Sequence, residues 1–285
     1  MKILLTGASG FVGSYFTNKY NNIHNINTFS FLNGIFKELD LSNIDTIVHL
    51  SALVHQMGGA SMKEYKKINV TQTLDLAQKA KNSGVKHFVF MSTVKVYGEE
   101  TNKAYTENTI CKPQDDYGKT KLTAELELKK LEDKNFKISI IRTPIVYGYG
   151  VNANIKNLIN LVNKIPVLPF GEIENKRSMV YVGNLCHMID VIIQKQVSGV
   201  FLASDDKPLS TTRLIELIAR ELDQKVYLVK ISFFESLLKL VKPSFYKRLY
   251  GSLEVDNIIT KEVLEYGNLY SVDDGIRFMI KGTSK

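Results

Sequence analysis

The segment Thr6-Gly7-Ala8-Ser9-Gly10-Phe11-Val12-Gly13 constrains this chain more than any other. It follows an apolar run, Ile3-Leu4-Leu5, and opens a stretch, Phe11–Tyr20, with helical spacing. Each glycine has its own task in such a strand–turn–helix. Gly7 permits the tight turn, Gly10 lets a diphosphate approach the backbone, and Gly13 lets helix and strand pack closely. The helix start presents N–H groups and a positive dipole end to the phosphates, with Ser9, Phe11 and Val12 in the same loop. Glycines alone also suit a purely structural turn. Their place between strand and helix favours the phosphate site.

The same alternation continues through the first half. Strands are predicted at Lys2–Thr6, Asn25–Phe31, Asp45–Leu50, Lys86–Ser92 and Lys137–Thr143, and helices at Ser61–Ser83 and Tyr117–Asp133. Strands separated by helices predict an α/β fold with a doubly wound parallel sheet. After Gly150 the pattern loosens into a helix at Asn154–Lys164, a loop or short strand at Ile165–Gly171 and a helix at Thr211–Leu222. The expected division is a dinucleotide-binding domain over residues 1–150, rejoined by residues 178–203 or so, and a smaller mixed α/β substrate lobe over 151–285. Ser232–Lys242 is apolar on one side (Phe233, Phe234, Leu237, Leu238, Leu240, Val241). It is expected to close the substrate lobe, with rest on a membrane as the rarer alternative.

Composition removes several function classes. With 44% hydrophobic and 23% charged residues in 285, the chain can bury one core with an appended lobe and is not disordered. Its only cysteines, Cys111 and Cys186, argue against a disulfide scaffold and fit a reducing cytoplasm. The five histidines are scattered, so no metal site is expected. The net charge of +8 is read as a solvated surface with a mild preference for anions, and no nucleic-acid partner is expected. The first apolar run is too short for a signal peptide, and no stretch reaches the roughly 18 apolar residues of a transmembrane segment.

Two further segments carry chemistry. In Tyr117-Gly118-Lys119-Thr120-Lys121 the phenol and the ammonium of Lys121 are four residues apart on one helix face. A nearby cation favours phenolate, so Lys121 is expected to lower the Tyr117 pKa and make the phenol a general acid/base. In Phe88–Gly98, Thr93 stands at the carboxyl end of a parallel strand, where open α/β sheets build their sites. It can donate a hydrogen bond to a substrate oxygen or to Tyr117.

Together these segments resemble the extended short-chain dehydrogenase/reductases, the epimerase/dehydratase group, over nearly the full length. The resemblance also rests on His49-Leu50-Ser51-Ala52-Leu53 and Asn69, and implies a Rossmann-like sheet. It implies that Asp40 and Leu41 contact adenine, that Leu50, Ser51 and Ala52 line the cofactor ribose, and that Lys121 holds the nicotinamide ribose. Asn69 and Pro144 join the cofactor set by the same resemblance, and Asn154, Phe170 and Arg177 match positions that grip a sugar nucleotide. A UDP-linked sugar is the implied substrate, and homodimerisation is left open.

Departures narrow the reaction. Val94-Lys95 follows Thr93 where hexose dehydratases carry Asp-Glu, and no cysteine occupies that segment as in GDP-fucose synthases. Arg142-Thr143-Pro144-Ile145-Val146-Tyr147-Gly148, Ala52-Leu53-Val54-His55 and Asn175-Lys176-Arg177-Ser178 are similar to bacterial 4-reductases of UDP-4-keto-6-deoxy-N-acetylhexosamines used for surface polysaccharides. The expected reaction is therefore NAD(P)H reduction of the C4 ketone to UDP-N-acetylfucosamine or UDP-N-acetylquinovosamine. A UDP-hexose or UDP-N-acetylhexosamine 4-epimerase with retained NAD is the alternative, and a non-catalytic nucleotide-binding scaffold ranks below both. The second strand ends Phe29-Ser30-Phe31 without a carboxylate to bond the NAD ribose, so NAD and NADP both remain open.

Overall fold

The computed structural model describes residues 1–54, 59–231 and 233–282. His55 and Ser232, which belong to two of the sequence readings above, lie outside those residues. The chain begins β1 (Lys2–Thr6), α1 (Phe11–Tyr20), β2 (Asn25–Phe29). β2 stops before Phe31 because the Ser30 carbonyl accepts from Gly34 N–H at 2.8 Å, which turns the chain. A single 3-10 turn, Phe36–Glu38, leads to β3 (Thr46–His49).

The periodic stretch 61–83 is one helical run with a widened middle. α2 (Met62–Lys66) starts at a reciprocal Ser61/Glu64 cap, passes through a π-helical turn at Lys67–Thr71, and continues as α3 (Gln72–Asn82). Then come β4 (His87–Thr93), α4 (Asp116–Leu131) and β5 (Lys137–Thr143). The second half holds β6 (Ile145–Tyr147), α5 (Ala153–Lys164), β7 (Val167–Leu168), β8 (Met179–Tyr181), α6 (Val182–Lys195) and β9 (Gly199–Leu202). It ends with α7 (Thr211–Glu221), β10 (Tyr227–Leu228), α8 (Phe234–Val241), α9 (Pro243–Tyr250), α10 (Ile258–Leu264) and α11 (Val272–Lys281).

Six strands form one parallel sheet in the order β2-β1-β3-β4-β5-β9. Successive side chains of a strand face opposite sides, and here both sides are dry. Ile3, Leu5 and Val89 meet α1 and α6 on one face, whereas Leu4, Phe88 and Phe90 meet α3 and α4 on the other. This is the doubly wound α/β sheet that the alternation predicts. Strand order reverses between β1 and β3, so a crevice opens at the carboxyl ends of the central strands. The parallel pairs β6–β8 and β7–β10 lie outside the main sheet.

α8 closes against the core with only part of its apolar surface. Phe234 and Leu238 pack inward, with the Phe234 ring 6.1 Å from that of Phe170. Phe233, Leu237, Leu240 and Val241 stay exposed.

Candidate active site

A cavity of about 1190 Å³ occupies the crevice. A drug-sized pocket is roughly 300–1,000 Å³, so this one has room for a dinucleotide together with a second ligand. The glycine turn forms one wall. Gly7 has φ +73°, a left-handed conformation, and a side chain there would come within 2.8 Å of Ser51 N. A Cβ at Gly13 would stand 2.2 Å from the Gly7 carbonyl oxygen, so helix and strand could not close. At Gly10 an added Cβ meets only the Gly7 carbonyl, at 3.2 Å. α1 has no side-chain cap and no acidic residue in its first turn. Its N–H groups therefore face the cavity as an anion cradle, with Ser9, Phe11 and Val12 beside them.

Leu50, Ser51 and Ala52 line the cavity too, with Leu50 and Ser51 packed against Gly7. Asn69 is fully buried on the π-helical turn and does not line the cavity. Its side chain accepts from Leu53 N–H at 2.8 Å and donates to the Leu53 carbonyl at 3.0 Å, clamping the loop after β3. His49 is equally structural. Burial, assisted by the Lys121 charge, lowers its pKa to about 3, and it bonds the Thr6 and Thr73 hydroxyls at 2.7 and 3.0 Å.

Thr93 and Tyr117 share the next wall. Thr93 ends β4, and its hydroxyl accepts from Lys95 N–H at 3.3 Å. Tyr117 sits in the first turn of α4, which Asp115 caps by accepting from Gly118 N–H at 2.7 Å. A Cβ at Gly118 would lie 2.8 Å from the Lys95 carbonyl oxygen, so this glycine sets how close Tyr117's turn comes to the Thr93 segment. Lys95, also on the cavity wall, is paired with Asp115 and with Glu99 at 3.3 Å.

The expected depression of the Tyr117 pKa is corrected here. Burial raises it, and Asp115 and Tyr65 add to the rise. Lys121 is itself buried behind Tyr117, with its ammonium 3.8 Å from the centroid of the Phe90 ring. Desolvation lowers its pKa to about 7 against the opposing pull of Glu125. Burial, which penalises the charged form of each group, outweighs the pull of the lysine on the phenol in the ligand-free chain.

That shift carries a stability prediction. An unfolded Lys121 titrates near 10.5 and the folded one near 7. Between those values the unfolded chain binds the extra proton, so this residue makes the ligand-free protein more stable as pH rises through the window. Below pH 7 the full penalty remains. Lys121→Met is therefore expected to raise stability at pH 6 by about 1–4 kcal/mol, by analogy with replacement of buried ionic groups. Urea unfolding at pH 6 and pH 9 checks this; equal stability of parent and variant at pH 6 refutes it.

Glu125 continues the α4 face and anchors what lies behind the site. It holds Arg142 through Nη2 at 2.6 Å and accepts from the Ser92 hydroxyl, and Arg142 donates to the Tyr97 hydroxyl at 2.6 Å. The third wall contains Pro144, Asn154, Arg177, Lys247 and Arg248. Arg177 is fixed by bridges to Leu209 and Leu253 and donates from Nη1 to the Gly251 carbonyl at 2.9 Å.

Five residues expected to touch a ligand do not line the cavity: Asn69 and Lys121, both buried behind its wall, and Phe170, Leu41 and Asp40. Phe170 is buried at 4% exposure in the core against α8 and does not line the cavity. Leu41 is likewise a core side chain beneath the sheet. Asp40 is exposed and spends its carboxylate on Ser42, accepting from its N–H at 2.9 Å and its hydroxyl at 3.1 Å. That local bond lowers its pKa. Sequence reasoning missed Lys95, Glu99, Lys247 and Arg248. Only the adjacency Lys247-Arg248 could have marked the last two, and the others have no local signature.

Comparison with known proteins identifies the family and the fold. The NAD dependent epimerase/dehydratase family pattern matches residues 3–202. The chain is similar to UDP-glucose 4-epimerase of Vibrio cholerae, with 36% identity across 96% of this chain and 93% of that one. It is 28% identical to the N-acetyl-alpha-D-glucosaminyl-diphospho-ditrans,octacis-undecaprenol 4-epimerase of Escherichia coli, across 79% of this chain and 73% of the other. The fold matches that of UDP-glucuronic acid 4-epimerase from Bacillus cereus, solved in complex with NAD, with a TM-score of 0.79 at 20% identity over 99% and 98% of the two chains. The chain thus belongs to the NAD-dependent epimerase/dehydratase family.

Proposed function

We propose that this chain is an NAD-dependent 4-epimerase of a UDP-linked hexose or N-acetylhexosamine. The observation that carries the reading is the 36% identity to a UDP-glucose 4-epimerase, sustained over 96% of the chain. The 4-reductase expected from the Arg142–Gly148, Ala52–His55 and Asn175–Ser178 segments has weaker support, since the relatives named above are 4-epimerases. Residues 1–150, with about 178–203, are assigned to the dinucleotide, and the remainder of 151–285 to the sugar nucleotide.

Inverting one carbinol without net oxidation requires hydride to leave C4 and return to its other face. The nicotinamide supplies the reversible hydride acceptance and, when oxidised, a positive charge that favours a nearby phenolate. Tyr117 takes the C4 hydroxyl proton during oxidation and gives it back on reduction. Burial, with Asp115 and Tyr65, holds Tyr117 protonated, so its deprotonation depends on added positive charge in the filled site. Thr93 donates to the C4 oxygen, and Lys121 supports the phenolate from behind and borders the cofactor ribose. Gly7, Gly10, Gly13 and the start of α1 hold the dinucleotide diphosphate. Arg177, Lys247 and Arg248 face that of the sugar nucleotide, with Asn154 beside them.

The test is incubation of the purified protein with UDP-glucose and UDP-N-acetylglucosamine, without added cofactor, followed by anion-exchange chromatography. Formation of the galacto epimer is expected. Failure of both sugars, with NADH- or NADPH-dependent consumption of UDP-4-keto-6-deoxy-N-acetylglucosamine, would put the reductase in its place.

Gly10→Val is a second test. Its Cβ has space apart from the 3.2 Å contact to Gly7, so the chain should fold, whereas the isopropyl group occupies the diphosphate's position. Cofactor copurification and NADH binding by fluorescence titration should be lost. Parental affinity would remove this turn from the cofactor site.

A further inference from the structure

The exposed side of α8 has no place in the reaction, yet it borders the cavity through α9. Phe233, Leu237, Leu240 and Val241 are 71, 48, 83 and 62% exposed, and Phe245 on α9 is 41% exposed. Positions 233, 237, 240 and 241 follow helical spacing, so they form one apolar face. The same region is strongly basic. Residues 225–250 hold six cations (Lys225, Lys230, Lys239, Lys242, Lys247 and Arg248) and one carboxylate, Glu235. That surplus of five is more than half of the chain's net +8. Lys230 is paired with Glu172 and Lys247 with Glu100, while Lys239 and Lys242 are exposed beside the apolar face.

We propose that α8 and α9 form a docking surface for an anionic lipid bilayer. Apolar side chains on one helix face with lysines flanking them suit a helix lying in the membrane interface, where the rings and branched chains enter the acyl region and the cations meet headgroups. Charge argues against a second copy of the chain. A two-fold contact would set this basic stretch against itself and desolvate like charges. Continuity with the cavity gives the surface a use: Ser244, Lys247 and Arg248 of α9 line the cavity that holds Thr93 and Tyr117. Docking therefore turns the cationic end of the site toward the membrane surface. Among the described residues no helix is long and apolar enough to cross a membrane, so the attachment is peripheral.

The experiment is co-sedimentation of the full chain with vesicles of equal parts phosphatidylglycerol and phosphatidylcholine, and with vesicles of phosphatidylcholine alone. The expected result is binding to the anionic vesicles that weakens at high salt, with little binding to the neutral ones. Leu240→Glu combined with Val241→Glu should reduce the bound fraction at least about tenfold. Both positions are exposed, so circular dichroism and conversion of a water-soluble UDP-sugar should stay at parental levels. Lys239→Glu with Lys242→Glu should also weaken binding without touching the apolar residues. Absence of parent binding, or equal binding to both vesicle types, overturns the proposal. So does light scattering that shows an oligomer broken by the Leu240/Val241 pair while vesicle binding persists. Failure of the epimerase assay leaves this result unaffected, because vesicle binding is read without turnover.

Discussion

Tyr117→Phe should lower turnover about 10²–10⁴-fold, the usual worth of a positioned general acid/base, while NAD affinity stays near the parental value. The substitution removes one oxygen and keeps the ring that packs 6.4 Å from Tyr65. Nothing then accepts the C4 hydroxyl proton as hydride departs. Lys121→Ala should impair both turnover and cofactor affinity, because it leaves a hole beside Phe90 and removes the cation behind the phenol. Steady-state rates with a fluorescence titration of NADH separate the two patterns. Near-parental turnover of Tyr117→Phe assigns the proton to another group.

Glu125→Ala is expected to cost about 3–5 kcal/mol of folding stability, the penalty for leaving one partner of a buried ion pair uncompensated. The side chains of Arg142 and Glu125 are only 5% and 1% exposed, so water cannot replace the lost carboxylate. Ser92 loses its acceptor in the same step. Replacing both charged residues with Leu and Met should recover much of the loss, since no unpaired charge remains. Urea denaturation of parent, single and double variants measures this. A single variant as stable as the parent would show that the guanidinium finds another partner.

The sheet was legible because its signals are local. Ile3, Leu4 and Leu5 alternate between two dry faces, and the adjoining glycines allow only a narrow set of turns. Tyr117 and Thr93, each at the end of an element with a clear period, line the cavity at the expected end of the sheet. Positions that depend on long-range packing were less legible. Phe170 carries the right residue type for a ligand contact, but α8 folds over it and takes it into the core. Asp40 carries a carboxylate that the neighbouring Ser42 claims first. The Tyr117 pKa departs from the expectation because helical spacing reports that Lys121 is near, not that both groups are desolvated. Arg142 and Glu125 meet across 17 residues, and no sequence period announces that contact.

In a 4-epimerase of this kind, hydride leaves and returns at one carbon. UDP-glucose deuterated at C4, incubated with the purified protein and no added cofactor, tests this directly. The account predicts UDP-galactose that retains deuterium at C4 by NMR, with the label lost neither to water nor to another carbon. Epimer carrying solvent hydrogen at C4 would contradict it, because the inversion would then proceed by proton exchange and the nicotinamide would have no part in it.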